Sequence, residues 1–241
     1  MRAEGNFFLK VAPAAADPQA QPVSLAAARE LQETLRHRVL LTPLARPPRL
    51  VGGADAICDR RERLIFGAVA VFTYPELILV EEAAVSGLCP FPYRAGLLSF
   101  REVPILAAAC RRLRYLPDLL LVDGQGIAHP RGVGLATHLG LVLDLPTLGV
   151  AKSRLLGNYT KPDAGAGSRS PLVWQGKEVG LVVRTRTGVR PLYLSPGHRC
   201  TLSETLIIVL GCLKGYRLPE PLRRADWLSR RLREAWLALG G

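Results

Sequence analysis

No apolar run in this sequence approaches the ~18 residues that a bilayer-spanning helix needs. The first thirty residues contain Glu4, Lys10, Asp17 and several prolines, with no continuous apolar core, so they do not read as a cleaved signal peptide. The expectation is a soluble, cytoplasmic protein. Cysteine is sparse as well: Cys58, Cys89, Cys110, Cys200 and Cys212 are scattered, and no C-x-x-C pair occurs. An odd number of widely spaced cysteines fits reduced, buried thiols and excludes the common zinc signatures. Lysine is also scarce, at Lys10, Lys152, Lys161, Lys177 and Lys214 only.

What is abundant is arginine. Basic residues outnumber acidic ones 32 to 20, a formal net charge of +12. Such an excess favours an anionic partner, with nucleic acid ahead of a membrane surface. At 241 residues and 49% hydrophobic, the chain can bury a sizeable core. No internal repeat and no clear linker interrupts it. The expectation is an N-terminal extension over 1–23 and one domain over 24–241.

Hydrophobic periodicity gives the coarse order of elements. Ser24 is an N-cap candidate for a helix running to about Leu41. RLVGGADAIC, LIFGAVAVFTY and ELILVEEAA read as three strands, the first two joined in a hairpin by the charged turn Asp59 to Arg63. An irregular segment, CPFPYRAGLLSF, precedes a helix over REVPILAAACRRLRY, with Pro104 tolerable near its first turn. LLLVDG is a short strand apolar on both faces, GLATHLGLVLD a helix and PTLGVAKS another buried strand. A loop rich in small residues, a hairpin over Gln175-Gly176-Lys177, a further strand and two helices complete the chain. Three strands followed by alternating helix and strand imply an α/β fold with a mixed sheet and helices on its faces.

Three carboxylates stand in unusual places. Asp55 lies inside an apolar strand, Asp123 ends one, and Glu102 opens a helix. A carboxylate in an apolar strand is costly unless compensated, and a hard divalent cation with oxygen ligands is one compensation. Converged, the three would hold Mg²⁺ or Mn²⁺ against a phosphate, as in metal-assisted phosphodiester cleavage. Taken one at a time, each also reads as a capping or salt-bridged carboxylate. His129, Arg131 and Lys152 follow at strand ends, the side where ligands bind in such sheets. His129 suits a phosphate or water contact, or an ordinary loop position. Gly124 and Gly126 remove side chains where backbone or ligand comes close. Pro92 and Tyr93 make a stiff aromatic protrusion, of the kind that wedges into base steps.

Five stretches resemble the endonuclease V family when read in order: VGGAD (51–55), PYRAGLLSFRE (92–102), LLLVDGQGIAHPRGVGLATHLG (119–140), LPTLGVAKSRL (145–155) and GYRLPEPLRRAD (215–226). The resemblance implies a ribonuclease-H-like fold with a mixed five-stranded central sheet and helices on both faces. It implies a monomeric, metal-dependent repair nuclease, using Mg²⁺ or Mn²⁺. Such an enzyme recognises inosine in DNA and cuts one nucleotide 3′ to the lesion, leaving 5′-phosphate ends.

By the same resemblance Asp55, Glu102 and Asp123 hold the metal, His129 and Lys152 complete the catalytic set, and Asp226 approaches the metal. Pro92, Tyr93, Arg94 and Ala95 form the DNA wedge. Gly96, Leu98, Gly124, Gln125, Gly126, Gly134 and Leu135 line a pocket for the everted base. Arg94-Ala95 departs from the family's usual Ile-Pro and implies a less rigid wedge. Two other readings stand beside this one: an inosine-specific ribonuclease, and a non-catalytic basic nucleic-acid-binding module. Membrane association of the basic C-terminal stretch is not expected.

Overall fold

The computed structural model describes residues 24–59 and 64–238. The expected N-terminal extension (1–23) and most of the charged turn after Asp59 lie outside the described residues. Helix α1, Leu25–Arg36, starts where expected, with the Ser24 hydroxyl accepting from the Ala27 amide at 3.1 Å. It stops short of Leu41 because the following segment leaves to pair elsewhere. The Arg199 amide donates to the Leu40 carbonyl at 2.6 Å, and the Leu40 amide donates to His198 Nδ1 at 3.3 Å.

Strands β1 (Leu50–Asp59), β2 (Leu64–Thr73) and β3 (Leu79–Leu88) form an antiparallel meander. β3 begins later than the apolar pattern suggests, since Leu77 adopts a positive φ in the reversal before it. Helix α2 (Leu98–Cys110) begins three residues before the expected start, so Pro104 sits inside it. Then come β4 (Leu119–Val122), α3 (Leu135–Leu143) and β5 (Thr147–Ala151). β6 (Arg169–Trp174) and β7 (Lys177–Val183) make the expected hairpin. Both turn residues, Gln175 and Gly176, have positive φ, as a two-residue hairpin turn matched to strand twist requires. β8 (Leu192–His198), α4 (Leu202–Gly211) and α5 (Glu220–Ala238) close the chain.

The strands join in one sheet of order β3-β2-β1-β4-β5-β8-β7-β6. Its first five strands are the mixed five-stranded core that the resemblance implied. The sheet does not end there: β8 pairs antiparallel with β5, and the β6–β7 hairpin extends the same ladder, giving eight strands. β1, β4 and β5 run parallel at the centre.

Both faces of the centre are buried, as LLLV suggested. Leu119 and Leu121 pack with Val51, Leu148, Ile208 and Leu222 on the side of α4 and α5. Leu120 and Val122 pack with Ala54, Ile105, Leu106 and Leu139 on the side of α2 and α3. A smaller cluster of Ala28, Phe91, Leu97 and Phe100 ties α1 to the start of α2. No helix among the described residues is long and apolar enough to cross a membrane.

Candidate functional site

The two-residue period of a strand sets the site. On β1, Val51, Gly53 and Asp55 point to the α5 face. On β4 and just past it, Leu119, Leu121 and Asp123 do the same. On β5 and just past it, Leu148, Val150 and Lys152 follow suit. Ala54 pairs with Val122 in the parallel ladder, which brings Asp55 alongside Asp123. All three charged residues therefore emerge on one face, at the same end of three neighbouring strands.

The third acid comes from α5. Its start lies directly against β1: a Cβ on Gly53 would stand 2.1 Å from the Pro221 carbonyl carbon, so only glycine admits the helix there. From that start the helix carries Asp226 and Ser229, three residues apart and one turn along, to the strand ends. The Ser229 hydroxyl donates to Asp55 Oδ2 at 3.0 Å. Asp55, Asp123 and Asp226 each offer a carboxylate oxygen, and these oxygens all lie within 4.8 Å of one another.

The electrostatics of this group are strained. Burial, then the charges of Asp123 and Asp226, push the Asp55 carboxyl up to about 8 despite Lys152. The Lys152 ammonium is hydrogen-bonded to Asp123 and stands 3.6 Å from Asp226. Burial works against the charge of Lys152, but Asp123, Asp55 and Asp226 outweigh it and hold the ammonium firmly protonated. Asp226 is also gripped by Arg230 through two hydrogen bonds of 2.9 and 3.0 Å. Those bonds and Lys152 overcome its burial and keep its carboxyl below the usual range.

Three hard oxygen donors, one of them too poorly solvated to ionise easily, fit a hard divalent cation. A cation there would relieve the repulsion that raises Asp55.

Glu102 stands close to these acids without joining the trio. Among the described residues it is not one of the carboxylates gathered within 4.8 Å. It belongs to α2, which packs on the sheet face opposite α5, so it approaches the strand ends from the other side. Its carboxyl is still raised well above the usual range, by burial first and then by the charges of Asp55 and Asp123.

Beside the acids opens a cavity of about 270 Å³, with Asp123, Lys152, Tyr93, Leu98, Ser99 and Gln125 among its walls. Gly96, Gly124, Gly134 and Leu135 also line it. Gly126 does not appear in its wall. A Cβ there would stand 2.0 Å from the Pro196 carbonyl oxygen, so this glycine serves the contact with β8 and not the cavity. Next to it lies the segment expected to form a wedge, which lends Tyr93, Arg94 and Ala95 to the lining. Pro92, Tyr93, Arg94 and Ala95 are all exposed, Tyr93 at 54%, between the buried Phe91 and Leu97.

His129 lines the cavity too, but both of its ring nitrogens are engaged within the protein. Nδ1 accepts from the Arg131 amide at 3.2 Å, so Nε2 carries the proton and donates to the Gly96 carbonyl at 2.9 Å. Burial, with the nearby Arg131 charge, pushes this imidazole down to about 4 against the pull of Gly96. The same carbonyl accepts from Arg131 Nη2 at 3.0 Å and from Gln32 Nε2 at 3.2 Å. Gln32, fully buried in α1, also donates to the Val133 carbonyl at 3.1 Å and accepts from Arg131 Nε at 2.6 Å. Three side chains thus converge on one carbonyl and fix the end of the exposed 92–95 segment.

The endonuclease V family model matches residues 33–227. The chain belongs to the endonuclease V family. An endonuclease V of Alkalilimnicola ehrlichii is 48% identical over 208 residues, covering 86% of this chain and 92% of the relative. The crystal structure of endonuclease V from Streptomyces avermitilis superposes with a TM-score of 0.85 at 42% identity, covering 90% of this chain and 97% of that one. A variant of the Ciona intestinalis endonuclease V, solved in complex with a 23mer DNA containing an inosine followed by a ribo-adenosine, superposes at 0.77 with 27% identity, covering 91% of this chain and 99% of that one. An endonuclease V fold accounts for a mixed sheet with helices on both faces.

Of the residues singled out from sequence, the structure gathers Asp55, Asp123 and Lys152 in one centre. Asp226, suggested only by resemblance, joins them. Gln32, Ser229 and Arg230 carried no signal beyond their helical spacing. A glutamine on an amphipathic helix looks like a solvated residue until the helix is docked.

Proposed function

We propose that this protein nicks nucleic acid strands one nucleotide 3′ to a deaminated base, with hypoxanthine in DNA as the reference substrate. The observation that carries this reading is the junction of two features. A cluster of three carboxylates reaches, through Asp123, the wall of a cavity of about 270 Å³ that the exposed Tyr93 also lines. That volume is just below the roughly 300–1,000 Å³ of drug-sized sites, which suits a single base.

Asp55, Asp123 and Asp226 would hold the divalent ion, and Glu102 would extend the site from the α2 side. When bound, Mg²⁺ or Mn²⁺ supplies Lewis-acid polarisation of a phosphoryl oxygen and stabilisation of the departing 3′-oxygen. Lys152 holds Asp123 in place and sets a positive charge at the cavity wall, where an anionic phosphate is favoured. His129, neutral and fully engaged, orients the loop that carries Gly96. Tyr93 fills the space left in the duplex by the extruded nucleotide, since chemistry beside a base requires it out of the stack. Arg94, exposed beside Tyr93, adds a cation toward the backbone. The net charge of +12 supports binding to a polyanion throughout.

An end-labelled strand carrying one inosine, incubated with the protein and Mg²⁺ or with EDTA, tests the reading. Mg²⁺-dependent nicking one nucleotide 3′ to inosine is the expected result. Preferential cutting of the matched RNA would move the substrate to RNA. Binding without any cleavage in Mg²⁺ or Mn²⁺ would overturn the nuclease.

A further inference from the structure

Strand β5 ends at Ala151, so the chain leaves the sheet at Lys152, whose ammonium has to meet Asp123 and Asp226. The antiparallel ladder with β8 stops at the same point. Its last pair is Ala151 with Tyr193, and just ahead of β8 stands Pro191, which has no N–H to give. The Lys152 carbonyl is nevertheless held. Arg217 Nη2 donates to it at 3.2 Å and to the Pro191 carbonyl at 3.0 Å, and Arg217 Nε donates to the Arg190 carbonyl at 2.8 Å. One planar guanidinium, with its donors in a fixed fork, continues the junction of β5 and β8 where the backbone ladder gives out.

Arg217 lies between α4 and α5, shortly before Glu220, the first residue of α5. Its own carbonyl accepts from Thr185 Oγ1 at 2.6 Å, which fastens this segment to the chain leaving β7. It thus joins the backbone that carries Lys152 to the start of the helix that carries Asp226. Burial, then the charge of Arg190, lower its guanidinium, while the charge of Asp123 pulls the other way, so it stands within electrostatic reach of the acids. Arg184 is a like clamp in another place. It is buried and donates to the Pro162, Asp163 and Val189 carbonyls, none of them at the acidic centre.

We infer that Arg217 is a positioning residue for strand cleavage: by holding the Lys152 carbonyl, it sets the Lys152 ammonium in register with Asp123 and Asp226. The inference rests on the nuclease reading above. A lysine ammonium rides on a flexible stem, and partly exposed ion pairs hold such a stem only weakly. What fixes the ammonium is the place from which its backbone sets out. A displacement of about 1 Å near a reacting centre can cost on the order of 100-fold in rate. Arg217 acts from behind, through backbone alone, and its share should be about tenfold, the low end for outer partners of a metal site.

The test compares the single-turnover nicking rate of an inosine strand in Mg²⁺, at saturating protein, with strand affinity measured in Ca²⁺. Wild type, Arg217→Ala, Arg217→Lys and Arg184→Lys are measured, with melting temperatures alongside. Arg217→Ala should nick about tenfold more slowly. Its strand affinity should stay within about twofold of wild type, since no phosphate contact is removed. Arg217→Lys should do no better, because a point charge cannot span the Lys152, Pro191 and Arg190 carbonyls. Arg184→Lys breaks the remote clamp in the same way; it should lower the melting temperature comparably and leave the nicking rate within about twofold. In a Lys152→Ala background, Arg217→Ala should add less than about twofold, because the group it positions is gone. Affinity lost with the rate kept would make Arg217 a strand contact and overturn the inference. Equal rate losses in Arg217→Lys and Arg184→Lys, or the whole loss repeated on top of Lys152→Ala, would overturn it as well. A wild type that never nicks inosine would sink the nuclease reading instead.

Discussion

On one side of the cavity, Asp55, Asp123 and Asp226 crowd like charges together. On the other, Gln32, His129 and Arg131 crowd polar groups that satisfy one another around the Gly96 carbonyl. Both sides are built from buried polar atoms, yet they have opposite standing. The acidic side carries burial and like-charge repulsion that raise the Asp55 carboxyl and that a cation would relieve. The other side is complete, with each nitrogen of His129 and the amide of Gln32 already engaged. The difference separates what reacts from what positions. Substitutions on the acidic side should cost activity and give stability; on the positioning side they should cost both.

The strongest attempt to break this contrast is Asp55→Asn. Nicking should fall by more than the roughly 10–100-fold expected for an outer partner of a metal site. Asp55 is raised in the folded state, so its contribution is present at low pH and is lost as pH rises from about 4 through about 8. Metal-free Asp55→Asn should therefore hold a higher urea midpoint than wild type at pH 8. Saturating Mg²⁺ should stabilise wild type and leave the variant nearly unmoved. A variant less stable than metal-free wild type at pH 8 would show that the acids are not in conflict.

Acid should act on the opposite wall. His129 and His138 are both held down to about 4, chiefly by burial, and so are neutral in the folded protein. Between pH 6.5 and 4 the unfolded chain binds more protons, and stability falls as pH falls. Each histidine should contribute a loss on the order of 3 kcal/mol by pH 4. Urea titrations at pH 7, 5.5 and 4 on wild type and His129→Gln isolate the effect, because the opposite contribution of Asp55 cancels in the difference; the variant should lose about 3 kcal/mol less than wild type over that range.

Gln32→Leu sharpens the contrast further. It takes the side-chain donor from the Val133 carbonyl and the acceptor from Arg131 Nε, and should cost about 1–3 kcal/mol in denaturant unfolding. Nicking of inosine should weaken with it, because the wedge loop loses its tie to α1. Smallest of all should be Arg230→Ala. Its pair with Asp226 is half exposed, so the change in unfolding free energy should stay below about 1 kcal/mol.

The central sheet was legible because strand period and apolar runs are local properties. LLLV announced a strand buried on both faces, and VGGAD with LLLVD announced two acids at neighbouring strand ends. The three strands beyond β5 were visible as separate pieces, but nothing local says that β8 adds to β5 rather than forming a second sheet. Glu102 was legible as an acid near the centre. Its sheet face was not, since that depends on where α2 docks. The Gly96 network was invisible for the same reason: Gln32 lies 99 residues from Arg131, and only tertiary packing joins them.

Asp55 receives its hydrogen bond from a serine 174 positions further along. Two of the gathered acids lie well before that serine, and the third stands only a helical turn away from it. A ribosome must therefore release almost the whole polypeptide before the three carboxylates can gather. A chain clipped ahead of Asp226 would lack both the third acid and the serine that holds the first.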